Sequence, residues 1–554
     1  MKKHNTVKVV LITLLVFAVL SWIIPAAYYS GEYIDQGRVQ IGLFDLFNYP
    51  LTALSYFGYI SLFILLVGGF YGILHNIPAY RSFLDKIVGL CKGKESIAIA
   101  LIIILLAVIT SICGTQFELL VFFPMLASII LLMGFDKIVV ALTLVGSTMV
   151  GIAGTTFGYN NAGLLNSVLA IKLTDNTLVK VIILLAGIVL LIFNILMYIK
   201  KGNVAGKASL KAEKKVIKTE TEKVEVKEAV KKDSASKKKV AAKSSSATKS
   251  VKSTAKKSTG TTKKATTKTK TSSKASRKDN KAAAKGDEVI VVKESLVNDS
   301  LEKFVPTVVD SKHKIWPVVV GFILLFVIVI LAVIPWSSAF GLEAFTKASS
   351  AVSEFELFGF PIFGKLLGTF NAFGEWGVTD FFLVMAVIIL LLAVIYRVKL
   401  NDLFDGFAKG VKKALVPAFV VLLVYTILVM TTYHPFQLAI YKVILGITDG
   451  FNIVTTTFAT MLAGLFNADV AYTMQAIVPY FAGTVTNADI YPIAGILFQS
   501  VYGLTMLVAP TSAILVTVLS YLGITFKEWF KAIWKLLVEF LVVLLIIFTI
   551  LVLI

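Results

Sequence analysis

The chain has 554 residues, of which 57% are hydrophobic, and it carries a formal net charge of +21. A soluble domain contains about 45–50% apolar residues, so this composition and a mean hydropathy of +0.84 exclude an ordinary soluble protein. The two cysteines, Cys91 and Cys113, have no partner pattern, which excludes a disulfide scaffold as the basis of the fold.

Apolar stretches follow one another along the chain. A hydrocarbon core about 30 Å thick is crossed by about 20 apolar residues in helical form. The long stretches are 7–29, 51–74, 178–199, 315–337, 378–396 and 531–554, and shorter or broken ones are 96–113, 117–134, 138–157, 414–432, 451–466, 470–486 and 491–520. Together they predict roughly 11 to 13 membrane elements and an all-α polytopic membrane protein.

The first apolar stretch follows basic residues and has the start of a secretory signal peptide. However, its run to Ile24 is long for a signal peptide, and a similar pattern recurs internally between Lys314 and Pro335. We therefore expect the first stretch to be a membrane helix of the protein.

The positive charge is concentrated in one segment. Residues 201–288 hold 27 Lys or Arg against 9 Asp or Glu, an excess of 18 positive charges out of the net 21. Residues 201–303 contain no Phe, Trp or Tyr, so no core offsets the entropy of ordering them. The pattern predicts a first membrane half at 1–200, a disordered linker rich in Lys, Ser, Thr and Ala at 201–303, and a second membrane half at 304–554.

The basic linker permits two interpretations. Lysines without aromatic residues give nucleic acid only a sequence-independent, salt-sensitive attraction. We favour a solvated linker on the cytoplasmic side, near anionic lipid of the inner (plasma) membrane, and we do not expect nucleic acid as a partner. A membrane tether that holds nucleic acid or a partner protein through this linker is the alternative from another functional class.

The two halves resemble each other, as in many secondary transporters. Trp22-Ile23-Ile24-Pro25 closes the first apolar segment of one half, and Ile334-Pro335-Trp336 closes that of the other. Residues 57–92 and 376–409 then share the spacing of Gly, Tyr, Leu, Asp and Lys. Both segments end in an amphipathic stretch that is typical of a helix at the membrane surface.

Four polar breaks interrupt the apolar sequence. In hydrocarbon such a break persists only inside protein or beside a water-filled cavity, so each break is a candidate site for substrate or ion. They are Gly114-Thr115-Gln116-Phe117-Glu118; Gly154-Thr155-Thr156 with Tyr159-Asn160-Asn161; Asn467-Ala468-Asp469; and Gln499-Ser500 with Pro510-Thr511-Ser512. Glu118 and Asp469 are the carboxylates expected at depth, where a charge is costly enough to indicate function.

Simpler interpretations remain for these residues. Gly, Ser and Thr also allow close packing of membrane helices, and Glu118 or Asp469 could lie at the mouth of a hairpin. His75 and His434 stand near segment ends, which favours an interfacial position over a proton relay. Residues 89–96 miss the P-loop spacing, and the sequence has no constellation of nucleophile, metal ligands or cofactor-binding residues. We therefore predict no enzyme activity, no metal site and no cofactor other than a coupling Na⁺ or H⁺.

At these residues the chain resembles the DcuC/YfcC-like family of anaerobic C4-dicarboxylate carrier relatives, within the ion-transporter superfamily. The resemblance spans nearly all of both halves. It rests on residues 68–74, 114–118 followed by Phe123-Pro124, 134–136, 402–407, 503–512, and 519–523 followed by Lys527-Glu528-Trp529.

The resemblance implies two inverted repeats, each with a re-entrant hairpin and a broken helix, divided between a scaffold and a mobile transport domain. It also implies ion-coupled transport or exchange of a small organic anion such as a C4-dicarboxylate, and a homodimer. Thr155, Thr156, Asn160 and Asn161 would form the first binding loop. Thr511 and Ser512 would form the second, and Gln116, Glu118, Asp469 and Gln499 complete the candidate set.

Two departures from the family pattern bear on the substrate. The family usually has paired acidic residues where this chain has Gln116-Phe117-Glu118, and the second tip, normally rich in Ser and Gly, is here 467–470. An arginine/ornithine-type antiporter therefore remains an alternative. Moreover, basic loops at equivalent positions in the two halves favour one side of the membrane, whereas inversion would place them on opposite sides. We follow the resemblance and expect inversion.

Overall fold

The computed structural model describes residues 5–114, 117–158, 163, 165, 167–172, 174–201, 304–306, 313–368, 370–448, 450–467 and 469–554. These residues belong to one compact unit formed by both membrane halves. The linker predicted at 201–303 lies outside the described residues except for Lys201, and so do the candidates Gln116, Asn160 and Asn161.

The described chain is helical almost throughout. The first half contains α1 (Asn5–Ile23), α2 (Leu43–Leu74), α3 (Pro78–Cys91), α4 (Glu95–Cys113), α5 (Phe123–Leu132), α6 (Lys137–Ala153) and α7 (Thr177–Lys200). The second half contains α8 (Trp316–Val333), α9 (Trp336–Phe340), α10 (Ala344–Glu354), α11 (Ile362–Leu367), α12 (Asp380–Ile395), α13 (Leu400–Tyr433), α14 (Gln437–Leu445), α15 (Ile453–Phe466), α16 (Val470–Thr484), α17 (Tyr491–Met506), α18 (Ala513–Leu522) and α19 (Phe526–Leu553). Short 3₁₀ helices cover Glu118–Val121 and Ala488–Ile490.

Strand structure is confined, in the described residues, to one small hairpin between α1 and α2. Strand β1 (Ala26–Tyr29) pairs antiparallel with β2 (Tyr33–Gly37). The apolar stretch predicted at 7–29 therefore leaves the helical conformation at Ile23. The hairpin packs on the second half, where the Ala27 N–H donates to the Pro435 carbonyl at 2.9 Å.

The helix lengths are those of a multi-pass membrane protein. Within the described ranges, seven helices are long and apolar enough to cross a membrane, and five shorter helices are also apolar. The seven are α1, α2, α4, α7, α8, α13 and α19. Their outward faces carry large apolar side chains such as Leu15, Leu185 and Ile546, as expected for helices that contact lipid.

Helices α2 and α13 form an antiparallel pair along nearly their whole length. Contacts move down one helix as they move up the other, from Tyr49–Tyr433 and Phe57–Tyr425 through Ser61–Ala418 and Gly68–Gly410 to Gly72–Gly406. A Cβ atom on Gly410 would collide with the Gly68 carbonyl oxygen, and one on Gly72 with the Gly406 carbonyl oxygen. Glycines four residues apart thus bring the two backbones into contact.

The order of elements repeats on either side of the linker. A long helix, a short helix, a helix pair joined by a polar tip, a broken helix and a terminal helix occur as α2, α3, α4–α5, α6 and α7. They recur as α13, α14, α15–α16, α17–α18 and α19. Because α2 and α13 hold equivalent positions and are antiparallel, the two halves are inverted.

This equivalence differs from the one suggested by the spacing of 57–92 and 376–409. Helix α13 continues without interruption from its basic start at Leu400 to Tyr433, so that start belongs to the long helix and not to a counterpart of α3. It lies beside the end of α2, where Asn76 Nδ2 donates to the Asp402 carbonyl at 2.6 Å. Both basic segments therefore lie at the same end of the α2–α13 pair, and inversion agrees with the distribution of charge.

Candidate functional site

Two helices stop inside the apolar bundle at the places where the sequence is polar. Helix α6 ends at Ala153 and is followed by residues 154–158, which we call the first break. Helix α17 ends at Met506, and residues 507–512, the second break, separate it from α18. The carbonyl groups at the end of each helix lose their partners of the next turn, and lipid supplies none.

The two breaks begin at one helix crossing. Gly503 of α17 lies against Ala153, so closely that a Cβ atom on Gly503 would be 2.5 Å from the Ala153 backbone nitrogen. Ala153 is the last residue of α6, and Met506 follows Gly503 within one helical turn. The breaks of the two halves are thus neighbours.

Side chains from elsewhere in the protein satisfy the carbonyl groups at the first break. Gln499 Nε2 donates to the carbonyl oxygens of Ile152 and Thr155, at 3.2 Å each. Ser500 Oγ donates to the Ala153 carbonyl at 2.7 Å, and Ser111 Oγ donates to the Gly154 carbonyl at 2.7 Å. Two of these three donors belong to α17, so the second half holds the broken helix of the first.

The second break is held in the same way. Trp529 Nε1 of α19 donates to the Leu507 carbonyl at 2.8 Å, and this tryptophan is fully buried. Thr511 Oγ1 donates to the Leu465 carbonyl at the end of α15, at 3.0 Å. The second break therefore lies against the tip of the α15–α16 hairpin.

The tip of the α4–α5 hairpin lies against the first break. The Thr156 N–H donates to the Ser111 carbonyl at 2.9 Å, and a Cβ atom on Gly158 would be 2.5 Å from the Gly114 Cα. In each half, then, a hairpin tip meets the break of its own broken helix. The described residues of all four predicted polar breaks therefore lie in contact with one another, hairpin tip against broken helix in each half and the two broken helices against each other.

The hydroxyl groups of the predicted binding residues differ in how they are used. Thr155 Oγ1 donates to the Ile152 carbonyl at 2.9 Å, and Thr156 Oγ1 lies 3.2 Å from Ser111 Oγ. The Ser512 hydroxyl is buried, with a residue exposure of 1%, and has no hydrogen-bond partner among the described residues. Among the binding candidates that the structure describes, Ser512 thus differs from Thr155 and Thr156 in having a hydroxyl that no side chain or backbone group engages.

The two predicted carboxylates approach the same pair of tyrosines from opposite halves. Asp469 accepts hydrogen bonds from the N–H groups of Ala471 and Tyr472, at 2.7 and 3.3 Å, and so caps α16. Glu118 begins the 3₁₀ helix after the first tip. Both carboxylates are partly buried, and both interact electrostatically with Tyr59 and Tyr425.

Three residues beside the breaks are not among the site residues predicted from the sequence. Ser111 looked like an ordinary helix residue three positions before a glycine. Trp529 was recognised as part of a motif, but its bond to the Leu507 carbonyl depends on the packing of α19. Lys180 lies in the first turn of α7 and is 7% exposed. A lysine inside an apolar stretch was the available signal for it.

Inverted halves with paired broken helices define a multi-pass membrane protein with the architecture of a secondary carrier. The family model described as C4-dicarboxylate anaerobic carrier, DcuC, matches residues 4–243 and 357–553. The chain therefore belongs to this family of carriers.

One curated relative is an uncharacterized protein of Haemophilus influenzae, 23% identical over 142 residues. The match covers 26% of this chain and 28% of that relative's length. No solved structure matches the chain.

Proposed function

We propose that the protein is a secondary active transporter, ion-coupled or exchanging, for a small organic anion, with C4-dicarboxylates as the substrates to test first. The observation that carries this proposal is the set of hydrogen bonds from Gln499 and Ser500 of the second half to the backbone carbonyl groups at the first break. Lone breaks could serve packing alone. Here the two breaks come from inverted halves and lie at one helix crossing. Secondary carriers bind their substrates at such a place, between broken helices of the two repeats.

The ends of the broken helices suit a pair of opposite charges. Helix α18 begins at Ala513, directly after the second break, and the N-terminus of a helix attracts anions. Helix α6 ends at the first break, and the C-terminus of a helix attracts cations. An organic anion and a coupling Na⁺ or H⁺ can therefore be held beside each other at the crossing.

Glu118 and Asp469 are the residues we propose for binding of the coupling cation. They are acidic groups at the two hairpin tips, and they interact with the same tyrosines. Carboxylates in partly buried surroundings favour binding of a cation or a proton, because burial disfavours the charged form of the group.

We propose that the linker lies on the cytoplasmic side of an inner, or plasma, membrane. The described residues next to its two ends lie near the start of α6, where Tyr198 donates to Asp136 at 3.0 Å and Lys137 lies over the Phe304 ring at 5.1 Å. Arg81 of the basic segment after α2 donates to the Pro306 carbonyl at 3.2 Å. The basic segments and both linker ends thus share one end of the protein, as the positive-inside rule expects of a cytoplasmic face.

Uptake by the full chain in liposomes tests the function. Labelled C4-dicarboxylates, acetoacetate-like acids and basic amino acids are offered with and without a Na⁺ or pH gradient. Saturable uptake or exchange of a dicarboxylate supports the proposal. Exchange of arginine for ornithine alone selects the antiporter alternative, and failure to move any of these compounds contradicts a carrier.

A further inference from the structure

A polar cavity of about 350 Å³ adjoins the tip of the α4–α5 hairpin. Cys113, the last residue of α4, forms part of its wall. Ser337 and Ser338 of α9 line it, as do Thr346 of α10 and Glu375 in the segment before α12. A water molecule takes up about 30 Å³ in the liquid, so the cavity has room for a small organic acid together with several water molecules.

Helices α8 and α12 place this cavity at the end of the protein opposite the linker. Tyr396 follows α12 and donates to the Lys314 carbonyl, just before α8, at 2.6 Å. Both residues lie near the start of α13, which is at the linker end of the protein. Helix α8 then runs for 18 residues, about 27 Å, and its last residue, Val333, lines the cavity. The cavity is therefore about one hydrocarbon thickness away from the linker end.

Two contacts connect the cavity to the first break. Gly114 follows Cys113 in the chain, and a Cβ atom on Gly158 would be 2.5 Å from the Gly114 Cα. Phe340, at the end of α9, packs against Phe157 of the first break, with ring centroids 5.2 Å apart. The ends of α4 and α9 thus separate the cavity from the first break by a single layer of residues.

The lining of the cavity suits a hydrated solute. The hydroxyl groups of Ser337, Ser338 and Thr346 belong to exposed residues and can exchange hydrogen bonds with water or with a carboxylate. Glu375 is also exposed, so solvent and salt screen its charge toward an anion. An apolar passage would remove the water from a carboxylate, at a high cost in free energy. A polar cavity that is open to solvent avoids this cost.

We propose that this cavity is the vestibule through which the transported anion, still hydrated, reaches the first break from the face opposite the linker. The proposal rests on the proposed function and adds the route and the class of solute, a short carboxylate that a cavity of about 350 Å³ can admit. Helices α9 and α10 form the outer wall of the vestibule, and the contact of Phe340 with Phe157 marks its inner limit.

Thiol modification of the full chain in sealed vesicles of known orientation tests the route. Thr346→Cys places a thiol on the cavity wall, and Ala348→Cys, the matched control, places one on the opposite face of α10. Both variants are made in a Cys113→Ser chain and treated with an impermeant methanethiosulfonate that carries a sulfonate group. We expect the reagent to modify both thiols from the face opposite the linker. Exchange of labelled succinate should fall at least fivefold in Thr346→Cys alone, and succinate should slow modification of that thiol.

Two results of this experiment would overturn the vestibule and leave the transporter standing. One is full exchange of succinate by Thr346→Cys after complete modification, measured by mass spectrometry. The other is modification of Thr346→Cys from the linker face alone. If the original protein exchanges no carboxylate of the uptake panel, the proposed function and the vestibule are both wrong.

The natural Cys113 supplies a second measurement that does not depend on transport. In Cys91→Ser it is the one remaining cysteine, and it borders the cavity although the residue is only 3% exposed. The reagent should modify it from the face opposite the linker. Thr346→Trp, which fills the cavity, should slow this reaction at least tenfold, whereas Ala348→Trp should not. A Cys113 thiol that does not react from this face, or reacts equally fast in both variants, would contradict the route even in a chain that exchanges succinate.

Discussion

Two helix pairs, each with one member from either half, behave in opposite ways. Helices α2 and α13 are uninterrupted and meet glycine against glycine, as Gly68–Gly410 and Gly72–Gly406. Helices α6 and α17 both stop at their crossing, and side chains of α17 bond to the backbone of α6. The first pair is packed as we expect of a scaffold, and the second pair is where we propose the binding site.

The difference follows from where the backbone finds its hydrogen bonds. An intact helix satisfies its own N–H and C=O groups, so close van der Waals packing is enough to join two such helices in lipid. A broken helix exposes groups that must find a partner in the protein or in a ligand. Glycine therefore allows the close approach of intact helices, whereas at the breaks the side chains of Gln499, Ser500 and Trp529 donate hydrogen bonds to the exposed carbonyl groups.

The largest effect is expected from a side chain placed between α2 and α13. Gly410→Leu directs new atoms into the Gly68 carbonyl, and overpacking of this kind costs about 1–3 kcal/mol or more. We expect loss of most of the monodisperse protein on size exclusion and a lower Tm for the remainder. Gly89→Leu is the control, because a Cβ atom on Gly89 meets nothing within 4 Å. Equal damage from both variants would contradict the scaffold role.

Removal of the amide that joins the broken helices should rank second. Gln499→Leu leaves the Ile152 and Thr155 carbonyl groups without this donor, at a cost of about 1–3 kcal/mol for a buried unsatisfied group. We expect a lower Tm and loss of substrate exchange in liposomes. The exposed Gln475→Leu, on α16, should change neither. Full exchange by Gln499→Leu would show that the crossing is not part of the site.

Loss of a single bond at the second break should have a smaller effect. Trp529→Phe keeps an aromatic ring in the buried position but removes the donor to the Leu507 carbonyl, which is worth about 1 kcal/mol. We expect a modest fall in Tm and a weaker apparent affinity for substrate. The exposed Trp534→Phe serves as the control, and the two variants should differ clearly in both measurements.

The smallest effect is expected from deletion of residues 205–285. The α6–α17 crossing and the α2–α13 contacts lie wholly in the membrane halves, so exchange in liposomes should be unchanged. A loss of nucleic-acid or partner binding as the sole phenotype would favour the tether alternative, provided that the original protein transports nothing.

Much of this organisation could be predicted from the sequence, because apolar length and polar interruption are local properties. The stretches 178–199 and 96–113 became α7 and α4 within a residue or two, and the interruptions at Thr155 and Thr511 are real ends of helices. The α2–α13 pairing could not be predicted, since the spacing of 57–92 and 376–409 pointed to a different equivalence.

The partners of the breaks also depend on packing between distant parts of the chain. Ser111 and Gly154 are 43 residues apart, and Gln499 and Ile152 are 347 apart. The sequence marks Gln499 and Thr155 as polar residues in apolar surroundings, but not as neighbours. Ser512, in contrast, was predicted from the sequence as a binding residue. Its buried hydroxyl has no hydrogen-bond partner among the described residues.

Ser512→Ala tests most directly whether the breaks form the transport site. If this hydroxyl serves the ligand, the variant should keep the Tm of the ligand-free protein within the error of measurement and should exchange labelled succinate with a several-fold weaker apparent affinity. Ser520→Ala, which removes a half-buried hydroxyl of α18 that donates to the Thr517 carbonyl, should leave the affinity unchanged. Exchange by Ser512→Ala with the affinity of the original protein would contradict a substrate site at the breaks.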